Sequence, residues 1–138
     1  MSKRILIMGL PGSGKTTLAE VLQKTLQCPW FNADKVREQF NDWDFSVEGR
    51  IRQAQRMRDL VDNCPNDHEF VIVDFVAPLA LMREIYDADF TVWVDTIQEG
   101  RFDDTNKAFT APEKYDLRVT TQDAQFWAQE ILKKLLPL

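Results

Sequence analysis

The sequence predicts an α/β domain in which a mainly parallel sheet lies between two layers of helices. Short, almost wholly apolar runs at residues 5–8, 70–73 and 90–94 are typical of strands that are covered on both faces. Segments with apolar residues at helical spacing alternate with these runs. Because 138 residues suffice for one domain but not for two ordinary ones, we expect a single domain over residues 1–138.

Each predicted element rests on a local pattern. Strands are expected at residues 3–8, 30–32, 70–74, 90–94 and 117–120. Helices are expected at about residues 16–26, 34–40 and 47–63, after Pro78, and after Thr121. Proline suits a first helical turn, and threonine is a common helix cap. Alternating strands and helices imply right-handed crossovers and therefore a parallel sheet.

The last helix should turn five apolar side chains inward: Phe126, Trp127, Ile131, Leu132 and Leu135. The polar stretch at residues 95–116 has no clear period, and we expect a short lid around residues 98–116.

Composition excludes several classes of protein. Hydrophobic residues make up 44% of the chain and charged residues 28%, which is typical of a globular domain. No apolar run is long enough for a membrane span. The net charge of −5 argues against a nucleic-acid partner, although a local basic patch leaves one open. Cys28 and Cys64 form no metal or disulfide pattern, so we expect a cytoplasmic protein with both cysteines buried.

Residues 9–16 read GLPGSGKT and fit the pattern G-x-x-x-x-G-K-[ST] between a predicted strand and a predicted helix. In such a phosphate loop, backbone N–H groups and the helix N-terminus surround phosphate oxygens. We predict that Lys15 reaches the β- and γ-phosphates of ATP and that Thr16 binds Mg²⁺. The pattern predicts a three-layer α/β/α fold of the P-loop NTPase class, of the nucleotide-kinase type. The residues expected to bind ATP are Gly9, Gly12, Ser13, Gly14, Lys15, Thr16 and Thr17.

Two acids follow predicted strands, where ligands bind in open α/β sheets. Asp74 is predicted to contact Mg²⁺ directly or through another ligand, with a turn or capping role as the alternative. For Asp95 a turn role is favoured over a metal role. Asp34 and Arg37 lie three residues apart and could orient an acceptor hydroxyl and bind an anionic substrate; a surface ion pair is the alternative.

The motifs resemble those of the adenylylsulfate (APS) kinase family over residues 5–115. The phosphate loop matches, residues 32–37 (NADKVR) are similar to the family's D-G-D-N-V-R, and residues 45–50 (FSVEGR) resemble F-S-x-x-D-R. Phe109-Thr110 with Tyr115-Asp116 resembles the lid motif F-T-G…Y-E.

This resemblance implies a role for each matching residue. Asp34 would lie near the acceptor hydroxyl, also within reach of Mg²⁺. Arg37 and Arg50 would bind the anionic end of the substrate, while Phe45 and Phe109 would stack on its adenine. The resemblance also implies that Gln53 stands at a substrate-binding position. Arg101 and Lys107 lie near the expected lid and could stabilise charge on the transferred phosphoryl group, with exposed loop cations as the alternative.

The chain departs from the family at several positions. Asn32 stands in place of the first Asp of D-G-D, and Ala77 stands in place of a Ser. The lid is compressed into residues 104–109, where Asn106 or Lys107 could take the place of the family's lysine. Asp74 has no family counterpart and resembles instead an acid of phage-type polynucleotide 5′-kinases.

Three functions are consistent with these observations. The leading one is a kinase that uses MgATP and phosphorylates the 3′-hydroxyl of adenosine 5′-phosphosulfate to give PAPS, with this nucleotide as its small-molecule partner. The second is a kinase of another hydroxyl, such as a polynucleotide 5′-end or a modified nucleoside. The third is a non-catalytic ATP-binding switch. The sequence leaves a homodimer open.

Overall fold

The computed structural model describes residues 2–65, 68–98 and 109–136. Within these ranges a five-stranded parallel sheet has the strand order β2-β3-β1-β4-β5. The strands are β1 (Lys3–Met8), β2 (Trp30–Asn32), β3 (Phe70–Asp74), β4 (Phe90–Val94) and β5 (Leu117–Val119). The helices are α1 (Lys15–Leu26), α2 (Ala33–Phe40), α3 (Val47–Asp62), α4 (Ala80–Tyr86) and α5 (Ala124–Leu135).

The central strand β1 explains why the apolar runs are continuous. Its side chains alternate between the two faces of the sheet, as in any strand. Ile5 and Ile7 pack in the layer that contains α1 and α5, whereas Leu6 and Met8 pack in the layer that contains α2, α3 and α4. All four are at most 1% exposed. The predicted three-layer α/β/α arrangement is therefore confirmed.

Most element boundaries agree with the sequence to within one residue. Helix α1 begins at Lys15, α2 at Ala33, and β5 ends at Val119. The helix expected after Pro78 is α4, which begins at Ala80. The Pro78 carbonyl accepts a hydrogen bond from the Thr110 N–H at 2.8 Å. This contact takes up the Pro78 carbonyl, which would otherwise accept an intrahelical bond.

Two predictions for the last helix are wrong. Asp123, not Thr121, caps α5, since its carboxylate accepts from the Phe126 N–H at 3.2 Å. The Thr121 hydroxyl instead accepts from the Trp127 indole N–H at 2.9 Å. Phe126 is 50% exposed, and Ala128 takes the inward position beside Ile131 and Leu135.

Cys28 is buried as predicted, whereas Cys64 is only half-buried at the end of α3. Burial raises the pKa of the Cys28 thiol to about 11, which keeps it protonated at neutral pH. In the described part of the chain no helix reaches the length and apolar character needed to cross a membrane.

Candidate active site

The phosphate loop, residues 9–16, connects β1 to α1 at the carboxyl edge of the sheet. Gly9 has a φ of 150°, and a Cβ there would overlap the Val94 carbonyl oxygen at the end of β4. Gly14 has a φ of 105° at the N-cap of α1, and in the part of the chain that the structure describes no side chain caps this helix. The backbone N–H groups at the start of α1 are therefore available to an anion, with the positive end of the helix dipole behind them.

The side chains of the loop suit phosphate as well. The Lys15 side chain is largely buried, and its Nζ donates to the Leu10 carbonyl of the same loop at 3.0 Å. The Ser13 hydroxyl is buried without a hydrogen-bond partner among the described residues, which is costly unless a ligand or water supplies one. The backbone N–H groups, the Lys15 cation and this hydroxyl together fit the phosphates of a nucleoside triphosphate.

Thr16, Asn32 and Asp74 meet at the mouth of the loop, although they come from α1, β2 and β3. The Thr16 hydroxyl donates to Asp74 Oδ2 at 3.0 Å. The Asn32 amide donates to Asp74 Oδ1 and Oδ2 at 3.2 and 3.0 Å. Asn32 and Asp74 are register partners on adjacent parallel strands, which places their side chains on the same face.

The amide orientation of Asn32 is fixed from both ends. Its Oδ1 caps α2 by accepting from the Lys35 N–H at 3.0 Å, so its Nδ2 must face Asp74. Two of the departures from the APS kinase motifs, Asn32 and Asp74, are thus direct neighbours. A carboxylate at both positions would place like charges side by side.

Asp74 is 2% exposed, and burial raises the pKa of its carboxyl above the ordinary value of 3.8. Hydrogen bonds from Trp30 and Thr16 and the charge of Lys15 act in the opposite direction. A cation beside Thr16 would offset the cost of burying this charge. Mg²⁺ commonly takes one or two protein oxygens together with phosphate oxygens and water, and the Thr16–Asp74 pair fits that requirement.

No group of three or more histidine, cysteine, aspartate or glutamate side chains that could hold a metal occurs among the described residues. Asp34, which the resemblance also places within reach of Mg²⁺, lies exposed in the first turn of α2, two residues beyond Asn32.

Asp34 and Arg37 lie in different surroundings. Asp34 faces solvent, whereas the Arg37 side chain is 5% exposed beneath the α2–α3 connection. Arg37 Nη1 donates to the carbonyls of Asp42 and Asp44 at 2.9 and 3.3 Å. Its burial lowers the pKa of the guanidinium, and it remains a cation at neutral pH.

Phe45 projects from this connection with half of its surface, 51%, exposed. Its ring lies 4.4 Å from the Arg37 guanidinium carbon and 5.8 Å from that of Arg50. Arg50 Nε also donates to the Phe45 carbonyl at 2.8 Å. An exposed ring backed by two cations can stack on a planar, anionic ligand.

Charges and a glycine position the connection that carries Phe45. The Asp42 carboxylate accepts from Arg52 at 2.8 Å and from Arg56 at 2.9 Å, and these guanidinium groups lower its pKa. A Cβ on Gly49 would overlap the Asp44 carbonyl oxygen, so only glycine lets the connection fold this closely onto α3.

Gln53 lies in the interior, 2% exposed, with its amide already bonded to protein groups. Its Nε2 donates to the Ala33 carbonyl at 3.0 Å, and its Oε1 accepts from Arg56 at 2.9 Å. This geometry links α3 to the start of α2, so Gln53 supports the segment that holds Asn32.

The lid is only partly described. Phe109 is half-buried against the layer of α3 and α4, with the Arg83 guanidinium carbon 5.4 Å from its ring. Arg101 and Lys107 lie outside the described residues. Asp95, whose metal role was not favoured, accepts a hydrogen bond from Arg118 Nη2 at 2.6 Å.

Sequence reasoning missed a cavity on the other side of the phosphate loop. It has a volume of about 180 Å³, and its lining includes Ser13, Gly14, Val119, Gln122 and Trp127. The Gln122 amide donates to the Gly12 and Ser13 carbonyls at 3.3 and 3.4 Å. Ligands in open α/β sheets generally bind beyond the carboxyl ends of the strands, and this rule indicates the residues after β5. These residues match no motif, so the sequence alone did not single them out.

Comparisons with known proteins agree with this architecture. A family model described as an AAA domain matches residues 5–103. No curated protein sequence matches the chain. The APS kinase of Mycobacterium tuberculosis, solved with AMPPNP and APS, is 23% identical with a TM-score of 0.79 and 97% of each chain covered.

A cysteine-to-alanine variant of that M. tuberculosis kinase is 26% identical, with a TM-score of 0.77 and coverage of 97% of this chain and 96% of the other. A shikimate kinase from Acinetobacter baumannii, solved with shikimate, is 18% identical with a TM-score of 0.67 and coverage of 99% and 94%. The fold is that of the P-loop kinases, and the resemblance to APS kinases is confirmed.

Proposed function

The chain belongs to the AAA domain family, and we propose that it is a Mg²⁺-dependent ATP kinase acting on the 3′-hydroxyl of adenosine 5′-phosphosulfate. The observation that carries the kinase proposal is the Thr16–Asp74 contact of 3.0 Å at the mouth of the phosphate loop. The choice of acceptor is supported by Phe45, exposed beside Arg37 and Arg50, and by the similarity to APS kinases.

ATP would lie across the phosphate loop. Its phosphates would accept hydrogen bonds from the backbone of residues 9–16, while Lys15 would move from the Leu10 carbonyl to the transferred group. Its base would enter the cavity beside Gln122 and Trp127. Thr16 and Asp74 would hold Mg²⁺, which when bound offsets the negative charge of the phosphates.

The acceptor would lie on the side of α2. Its adenine would stack on Phe45 and Phe109, and its phosphosulfate would pair with Arg37 and Arg50. Asp34 is exposed at the start of α2 and would orient the 3′-hydroxyl.

In the reaction, the 3′-oxygen forms a bond to the γ-phosphorus of ATP as the bond from that phosphorus to the bridging oxygen breaks. ADP leaves with the electron pair, and the hydroxyl proton passes to Asp34 or to water. Arg101 and Lys107 are proposed to approach the transferred group from the lid.

A kinase of a different hydroxyl is the second candidate, and Asp74 favours it. This acid has no counterpart in the APS kinase motifs, yet it occupies the buried position beside Thr16. The shikimate kinase and a gluconokinase from Sinorhizobium meliloti share the fold, which therefore accommodates acceptors without a nucleobase.

The test is ADP release from the purified protein with MgATP and one acceptor at a time: adenosine 5′-phosphosulfate, shikimate, gluconate, or an oligonucleotide with a free 5′-hydroxyl. We expect stimulation by the phosphosulfate alone, with a product phosphorylated at its 3′-oxygen. Stimulation only by another acceptor would replace the proposed substrate. ATP binding with no turnover on any acceptor would favour the non-catalytic switch.

A further inference from the structure

Trp30 contacts the candidate metal site through its indole nitrogen. The residue lies in β2, two positions before Asn32, and its half-buried ring packs against the layer of α1 and α5. Its Nε1 donates to Asp74 Oδ1 at 2.7 Å, the shortest hydrogen bond that the structure shows to this carboxylate.

The donors around Asp74 differ in how they constrain its two oxygens. Thr16 bonds to Oδ2, and the Asn32 amide lies within bonding distance of both oxygens. The Trp30 indole bonds to Oδ1 alone. Asn32 therefore contacts both oxygens alike, while Trp30 holds one oxygen and so fixes the rotation of the carboxylate that turns the other towards Thr16.

Unlike Thr16, Trp30 is a donor that a bound cation does not compete for. The Thr16 hydroxyl is itself a candidate ligand, so its hydrogen bond to Asp74 changes when a cation approaches. The indole nitrogen is a donor only and does not bind cations, and its ring is held by packing. A charge-assisted bond of 2.7 Å from such a group restrains the carboxylate before any ligand arrives.

We propose that Trp30 is a positioning residue: its indole N–H holds Asp74 so that Oδ2 faces Thr16 and the Mg²⁺ that accompanies ATP. This inference rests on the proposed function, because it assumes that Thr16 and Asp74 receive the metal. Residues that orient metal ligands typically change metal affinity by about 10- to 100-fold when they are removed.

The experiment measures ATP binding by calorimetry as a function of Mg²⁺ concentration, in wild type and in Trp30→Phe. Phenylalanine keeps an aromatic ring but removes the donor. We expect half-saturation to require about 10- to 100-fold more Mg²⁺, with ATP affinity in EDTA unchanged. The matched control is Trp43→Phe. This substitution makes the same chemical change outside the proposed metal site, at a residue that is 51% exposed.

A second comparison tests whether Trp30 acts through Asp74. In an Asp74→Asn background, Trp30→Phe should change the Mg²⁺ requirement by less than about twofold, since the positioned carboxylate is already gone. An unchanged Mg²⁺ requirement in Trp30→Phe alone, an equal effect of Trp43→Phe, or a full effect in the Asp74→Asn background would overturn the proposal.

Two further outcomes are decisive. If wild type binds ATP without any dependence on Mg²⁺, the proposed function and this inference fall together; if only the variant comparison fails, the inference alone falls.

Should Trp30→Phe not fold, the indole N–H of wild type can be followed by NMR. Slow exchange with solvent supports the hydrogen bond to Asp74, and exchange at the rate of an exposed indole refutes it.

Discussion

Asn32→Asp tests whether one carboxylate, and not two, is compatible with the site. The substitution restores the acid of the APS kinase motif beside the acid that this chain carries at position 74. An aspartate can still accept from the Lys35 N–H, so the cap of α2 survives. The change therefore acts on Asp74, where it replaces an amide donor with a second carboxylate.

The size of the repulsion between the two carboxylates follows from the distance between positions 32 and 74. The Asn32 nitrogen lies 3.0 Å from Asp74 Oδ2, so the variant would place two charged oxygens at about that separation. At an effective dielectric constant of about 20, the repulsion is about 5.5 kcal/mol. Because the pair can share a proton or rotate apart, we expect a net loss of about 2–4 kcal/mol in the free energy of unfolding.

The assay is thermal unfolding at pH 7 in EDTA. An unfolding entropy of about 2.1 cal/mol/K per residue over 138 residues converts this loss into a decrease in Tm of about 7–14 °C. The deficit should shrink at pH 5, where the pair holds a proton, and on addition of Mg²⁺. Asn32→Ser, a neutral cap, is the control. If Asn32→Asp and wild type melt together at both pH values, the reasoning is wrong.

Three other predictions concern neighbouring parts of the site. Lys15→Ala should lower turnover at least about 100-fold, as loss of a preorganised charge does, and near-normal steady-state turnover would refute its role. Gly49→Ala should displace the Asp44 carbonyl and with it the Phe45 ring. This should raise the KM for the acceptor and leave ATP binding in calorimetry unchanged, and a parallel loss of ATP affinity would contradict the prediction. Because burial raises the pKa of the Asp74 carboxyl in the folded state, its contribution to stability is present below pH 3.8 and is lost as the pH rises through the folded value. In EDTA, the Tm of Asp74→Asn relative to wild type should therefore be higher at pH 7 than at pH 4, and a pH-independent difference would count against the burial argument.

Local patterns predicted most of the fold because each pattern lies within a few consecutive residues. The apolar runs of β1, β3 and β4 are continuous since helices cover both faces of these strands. The phosphate loop is specified within eight residues by glycines, a lysine and a threonine, so the sequence predicts it without knowledge of the rest of the chain.

Predictions failed where two local patterns competed. Thr121 and Asp123 both suit a helix cap, and the helix begins after Asp123 because the Thr121 hydroxyl receives the Trp127 indole N–H. The helix expected after Pro78 does form, and its start at Ala80 lies beside a contact in which the Pro78 carbonyl accepts from the Thr110 N–H, 32 residues further along the chain. Such choices depend on partners that a short sequence window does not contain.

The sequence by itself determined the α/β class, the phosphate loop and the identity of Asp74 as a strand-end acid. Only the tertiary structure decided that Asp74 meets Asn32, Trp30 and Thr16, because this requires β2 to pair with β3 in one particular register. Parallel pairing joins segments about 40 residues apart, and nothing in either strand alone specifies which residues become opposite partners. The buried carboxylate and its donors are therefore a property of the assembled sheet.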